Sequence, residues 1–225
     1  MSSPNPLIDD GVPRHILSLL SRLHSQSLQQ EAGIVRADYD AAVIDGNMKD
    51  KFIALEAEKC HFVYQLARAT GAKYIVEAGT SYGVSTIYLA LAVAANCRAT
   101  GGEGKVIGTE HESEKAAKAR EHWQECGDIV QGFVELREGD LRETLKDNLG
   151  AVDLLLLDIW TPMALPTLKL VQPKLRPGAV IITDNTIASA VGYKELLDYM
   201  RHPGSGFTNL TLPYHKGLEM SIYSP

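Results

Sequence analysis

The chain has 225 residues, 45% hydrophobic and 22% charged, enough for one α/β domain with a sizeable core. A net charge of −6 argues against nucleic acid as the main partner, because phosphate binding wants a basic footprint. No apolar run approaches the roughly 18 residues of a membrane helix, and the polar start, Met1 to Gly11, fits neither a signal peptide nor a transit sequence. Three cysteines, Cys60, Cys97 and Cys126, lack metal-ligand spacing and read as reduced, buried thiols. The expected location is the cytoplasm, with neither a membrane nor a nucleic acid as partner.

In chain order, residues 1–11 read as a loose tail. Pro13 can open a helix whose apolar stripe is Ile16, Leu17, Leu19, Leu20, Leu23 and Leu28. A second helical stretch starts near Tyr39. A third runs from about Asp50 to Ala69, with Phe52, Leu55, Phe62, Val63 and Leu66 inward and Gly71 as its C-cap. These helices either pack on the sheet or a second subunit, or roof a pocket. From Lys73 the pattern alternates. An apolar run with Ile75 and Val76 reads as a strand, Gly79 to Gly83 as a tight turn, and Val84 to Ala95 as a helix.

After a glycine-rich loop, Asn96 to Lys105, the expected strands are Val106–Glu110, Phe133–Arg137, Val152–Asp158 and Ala179–Asp184. The helices between and after them are Glu112–Cys126, Leu141–Leu149, Leu165–Leu175 and Ser189–Arg201. Val152–Asp158 carries four consecutive leucines, as a strand covered on both faces should. Phe207–Pro213 and Leu218–Tyr223 have no helix between them and read as an antiparallel pair at the sheet edge. The whole implies a Rossmann-like α/β fold: a seven-stranded, mostly parallel sheet with one antiparallel strand from a C-terminal hairpin, and extra N-terminal helices. One domain spans 1–225, with 1–70 helical and 71–225 as the α/β core.

In such sheets ligands sit outside the carboxyl ends of the strands. Five acids fall on that rim: Glu77, Glu110, Asp140, Asp158 and Asp184, with Asn185 beside the last. One such acid could be a helix cap; five together are hard to explain so. Glycine in the turn would let a ligand approach the backbone, where a Cβ would block it. The turn itself is Gly-x-x-x-Gly with a bulky Tyr82, and lacks the G-x-G-x-x-G of dinucleotide sites. S-adenosylmethionine has no pyrophosphate and carries a positive sulfonium, which suits an acidic rim better. Glu110, ending the second strand, can accept both ribose hydroxyls.

The stretches Val76–Thr86, Gly108–Glu110, Arg137–Asp140, Leu154–Trp160 and Leu175–Asn185, with the ending Gly217–Tyr223, resemble the class I S-adenosylmethionine-dependent O-methyltransferases. The similar branch contains the catechol and caffeoyl-CoA O-methyltransferases, and the likeness covers about residue 50 to the end. It implies a cofactor site of Glu77, Gly79, Ser81, Ser85, Glu110, Asp140, Leu141, Asp158 and Trp160. Glu77 and Gly79 would line the methionine end and Ser85 meet its carboxylate. Asp140 would lie by the adenine amino group and Trp160 against the ring. Asp158, Asp184 and Asn185 match the ligands of a divalent cation, usually Mg2+, with Asp158 also catalytic. Magnesium prefers oxygen donors, and a bound hydroxyl becomes more acidic. An ordinary turn pair capping a helix at Ser189 is the competing reading of Asp184-Asn185.

Two positions depart from the branch. Where catechol enzymes carry a lysine general base this chain has Thr161, followed by Pro162; where they carry a glutamate clamping the second hydroxyl it has Leu210, with Asn209 beside it. His111, His215 and Lys216 could replace the base by residue type, but an exposed surface role is the expectation for each. The acceptor is expected to be a small phenolic or vicinal-dihydroxy molecule. The alternatives are a metal-independent or N-directed methyltransferase, an inactive cofactor-binding relative, and, from another class, a nicotinamide-dependent oxidoreductase. The N-terminal helices could support a homodimer, with no heptad or motif to decide it.

Overall fold

A computed structural model describes residues 4–33 and 51–225. The helix expected from Tyr39 lies outside the described residues. The tail is shorter than expected. Pro6–Asp9 forms a single turn, α1, capped by the Asn5 side chain, which accepts from the Leu7 N–H at 3.0 Å. Leu7 is buried.

Arg14–Glu31 is α2. Ile16, Leu19, Leu20 and Leu23 are buried, whereas Leu28 is 63% exposed. The stripe continues at i+4 from Leu23, so Ser27 takes the inward position. Its hydroxyl donates to Glu31 and accepts from the Ala54 N–H. The third helix, α3, is Ala57–Thr70, and the lead-in expected to be helical from Asp50 is not. Phe52 and Leu55 are nevertheless buried in that lead-in, and Gly71 caps α3 at φ 65°.

The α/β part runs β1 (Tyr74–Ala78), α4 (Val84–Thr100), β2 (Lys105–Glu110), α5 (Ser113–Cys126), α6 (Asp128–Gln131), β3 (Val134–Glu138), α7 (Leu141–Thr144) and β4 (Val152–Leu157). It continues with α8 (Thr161–Val171), a 3-10 turn (Gln172–Lys174), β5 (Leu175–Asp184), α9 (Lys194–Arg201), β6 (Phe207–Leu212) and β7 (Leu218–Tyr223). The boundary corrections have local causes. Helix α4 continues through the loop start expected at Asn96, because the buried Asn96 amide donates to the carbonyls of Ala67 and Ala72. Helix α7 is one turn and does not reach Leu149. Helix α8 begins at Thr161, since Pro162 is well placed in a first turn. Strand β5 absorbs Arg176-Pro177-Gly178. No helix starts at Ser189: 186–193 are turns, and α9 begins at Lys194.

The sheet order is β3-β2-β1-β4-β5-β7-β6, with β7 alone antiparallel, inserted between β5 and the edge strand β6. Order reverses between β1 and β4, so the crevice opens at their carboxyl ends. Buried apolar clusters cover both faces. On one side α3 packs on α4, and α2 against α4 and α5; on the other lie Leu168 of α8 and Met200 of α9. Among the described residues no helix is long and apolar enough to cross a membrane. Cys60 and Cys126 are buried and Cys97 half-buried, all free.

Candidate active site

The turn after β1 is built around Glu77. Its fully buried carboxylate accepts from the hydroxyls of Thr80 (2.9 Å), Ser85 (2.6 Å) and Thr86 (2.5 Å). Burial raises its pKa, while the three hydroxyls pull the other way. Glu77 therefore fixes the turn onto the first turn of α4 from inside, and the Ser85 hydroxyl is engaged with it.

The glycines have internal reasons that the sequence reading did not see. A Cβ on Gly79 (φ 95°) would lie 2.0 Å from the Asp158 carbonyl oxygen, and one on Gly83 (φ 76°) 2.5 Å from the Trp123 ring nitrogen. Trp123 donates to the Gly83 carbonyl at 3.0 Å. Glycine at 79 thus lets the ends of β1 and β4 close together, and what a Cβ would meet is the protein's own backbone.

Glu110, at the end of β2, is nearly buried. Its two oxygens accept from the backbone N–H groups of Ser81 (2.7 Å) and Glu112 (2.8 Å). Ser81 has φ 50°, so Glu110 holds the turn in a left-handed step. Each carboxylate oxygen retains a second lone pair for a ligand. Asp140 is a helix cap after all. It accepts from the Arg142 N–H, opening α7, and pairs with the Arg142 guanidinium, which holds its carboxyl down to about 2. Leu141 is buried beside it, and Trp160, at the head of α8, is 47% exposed.

The register Leu157 to Thr183 brings Asp158 and Asp184 side by side at the ends of β4 and β5. Burial pushes the Asp158 carboxyl well above the usual carboxylate range, and Asp184 adds to the shift. Asp184 is raised too, by burial first and against the pull of Lys59. Asn185 follows at φ 60°, a step that asparagine tolerates, with its N–H on the Gly217 carbonyl at 3.1 Å.

Sequence reasoning missed Lys59. Its side chain is 1% exposed, and its ammonium lies 2.5 Å from Asp184 Oδ1 and 2.9 Å from Glu56 Oε2. Burial works against its charge, but Asp184 and Glu56 outweigh burial and raise its pKa. A signal existed: Lys59 continues the apolar stripe Phe52, Leu55, Phe62, Val63, Leu66 at helical spacing. Lys216 also departs from expectation. It is half-buried and reaches Glu31 at 3.2 Å and Glu56 at 3.7 Å, while His111 and His215 are exposed. Thr161 packs close to Gly192, where a Cβ would lie 2.2 Å from its hydroxyl oxygen, and Leu210 is exposed on the edge strand.

A methyltransferase domain model matches residues 76–186. A catechol O-methyltransferase of Mycobacterium tuberculosis is 32% identical over 178 residues, covering 73% of this chain and 77% of the relative. The chain belongs to the class I S-adenosylmethionine-dependent O-methyltransferases, in their catechol O-methyltransferase-like branch. A catechol O-methyltransferase of Niastella koreensis is 27% identical over 187 residues, covering 81% of this methyltransferase and 76% of the relative. The fold matches that of an O-methyltransferase from Bacillus cereus solved in complex with SAH. The TM-score is 0.69 at 21% identity, covering 97% of this chain and 95% of that one.

Among the described residues of this methyltransferase, no group of three or more His, Cys, Asp or Glu side chains is placed to hold a metal ion. The set to weigh is instead two carboxylates and an amide, which are hard oxygen donors of the kind magnesium takes. Asp184 Oδ1 already holds Lys59, which leaves Oδ2. Among the described residues the two carboxyls share one paired cation, Lys59 on Asp184 Oδ1, and burial raises both of their pKa values. A divalent cation on these oxygens would favour their ionised forms, so the residues fit the ion.

Proposed function

We propose that this O-methyltransferase acts on a small molecule with two neighbouring oxygens, such as a vicinal diphenol, with a divalent cation held by Asp158, Asp184 and Asn185. The observation that carries this reading is the pairing of Asp158 and Asp184 at adjacent strand ends, beside the glycine turn at the switch point. The names of the curated relatives support the acceptor class. The cation, when bound, would lower the pKa of a coordinated hydroxyl and fix its place.

The chain's own residues do the rest. Gly79, Ser81 and the head of α4 offer backbone to the methionine end, and Glu110 offers lone pairs to the ribose. Trp160 offers an exposed indole face to the adenine. Asp140 and Leu141 would close the adenine end of that site, Asp140 through its place at the head of α7. Phe52, Ala54 and Leu55 line a cavity with Thr80, Ser85 and Asp158, so the segment before α3 roofs the turn. Thr161 is no base near neutral pH, and Lys59 is held as an ammonium, so neither side chain takes the acceptor's proton. The 1–225 chain works as one methyltransferase domain.

A second reading is favoured by Lys59, which gives Asp184 a cation of its own: methyl transfer without a metal. The deciding experiment is calorimetric titration with S-adenosylmethionine, followed by methyl transfer to a dihydroxyphenol panel with Mg2+ or EDTA. Activity lost in EDTA and restored by Mg2+ supports the first reading. Full activity in EDTA moves the reading to the second.

A further inference from the structure

Lys59 breaks two local rules at once. It sits in the first turn of α3, where the helix dipole disfavours a cation, and it is buried, where a charge is costly. A side chain in that position persists only if its surroundings demand it. They do: Glu56, three residues earlier on the same face, and Asp184, on a different element, both meet its ammonium. The contact runs on through Glu56 to Lys216 and from there to Glu31, at the end of α2. One chain of ion pairs thus joins the N-terminal helix to the end of β5.

We propose that Lys59 is a built-in counter-cation that shares Asp184 with the divalent ion. It keeps the acid cluster assembled when no ion is bound, and by repulsion it lowers the cluster's affinity for that ion. The proposal rests on the cation reading above and deepens it. Two carboxyl groups at adjacent strand ends, Asp184 buried and Asp158 half-buried, would repel each other if both were ionised in the metal-free protein. The ammonium on Oδ1 offsets that repulsion without occupying Oδ2 or Asp158. A divalent ion joining the same carboxylate then meets a positive neighbour a few ångströms away, so affinity is held down rather than maximised. A weak site binds the ion chiefly together with an acceptor whose oxygens add negative charge. Lys59 is a positioning residue: it touches Asp184, and through it the site.

The test reads metal binding and stability, not turnover. Mg2+ alone is titrated by calorimetry into wild type, Lys59→Met and Lys59→Arg, and melting is followed in EDTA and in Mg2+. Lys59→Met should melt roughly 5–10 °C lower in EDTA, recover much of that loss in Mg2+, and bind Mg2+ at least about tenfold more tightly. Lys59→Arg, which keeps the charge, should stay close to wild type in all three. Should Lys59→Met fail to fold in EDTA, Lys59→Gln, which keeps hydrogen-bond donors without the charge, carries the same comparison. Mg2+ binding by wild type with unchanged or weaker affinity in the neutral variants overturns the counter-cation role alone. So does a stability loss that Mg2+ does not relieve, since that marks a purely structural lysine. Binding in none of the proteins overturns the cation site and this role with it.

Discussion

At the scale of single residues, the acids of the rim divide by what already holds them. Glu77 is enclosed by three hydroxyls and Asp140 by Arg142, so both serve the protein first. Asp158 and Asp184 carry raised pKa values and share a strand-end position, which marks them as the pair with work to do on a ligand. Asp158→Ala or Asp184→Ala should lower turnover by more than the roughly 10–100-fold that changes at residues supporting a metal site cost. Calorimetry should show S-adenosylmethionine binding nearly intact, and full activity in Asp184→Ala would remove the cation role. Glu110→Ala should do the opposite. It frees the Ser81 N–H as well as the ribose position, so cofactor affinity should fall about tenfold or more while saturated turnover changes less. The identities of these acids and their strand ends were legible in the sequence. Which of them are internal struts was not, because a carboxylate looks the same in sequence whether it faces hydroxyls or solvent. Lys59 was half-legible: its place in an apolar stripe was on the page, but its partner Asp184 lies 125 residues away.

At the scale of elements, strands were read closely because apolar runs end at polar residues. Helix starts were read less well. Phe52 and Leu55 follow helical spacing, yet they belong to a non-helical lead-in, in which the Phe52 and Ala54 N–H groups bond to Gln30 and Ser27 of α2. Periodicity reports which residues are buried, and tertiary hydrogen bonds decide the backbone that buries them. The glycine turn is the sharpest instance of local and long-range demands meeting in one element. Gly79→Ala would force a left-handed step on a residue with a Cβ and drive that carbon into the Asp158 carbonyl. The expected cost is at least about 3 kcal/mol, which for a chain of this length lowers the melting temperature by roughly 6 °C or more. Because the atom displaced belongs to Asp158, activity should fall further than stability alone explains. A Gly79→Ala protein with wild-type melting and turnover would show that the turn can open without moving β4.

At the scale of the whole molecule, the layers and the strand switch point follow from the alternation of elements. The docking of the N-terminal helices onto them does not, since their apolar stripes would fit a sheet, a roof or a second subunit alike. The structure ties α2 to α4 through His24, whose Nε2 lies 3.0 Å from the Tyr88 hydroxyl; His61 of α3 packs edge-on against the same tyrosine. Burial depresses the His24 pKa to about 4, and His61 is lowered as well, again by burial. Both are therefore neutral in the folded protein over a range in which an unfolded histidine, with a pKa near 6.5, is protonated. The unfolded chain binds more protons there, so stability is complete above about pH 6.5 and declines as pH falls toward 4. For His24 alone the loss between pH 7.5 and pH 5 is about 2 kcal/mol. Chemical denaturation at those two pH values should show that decline in wild type. In His24→Gln, which keeps a polar partner for Tyr88 but cannot titrate, the decline should shrink by most of that amount. An equal decline in both proteins would place the acid sensitivity elsewhere and leave the joint between α2 and α4 indifferent to protonation.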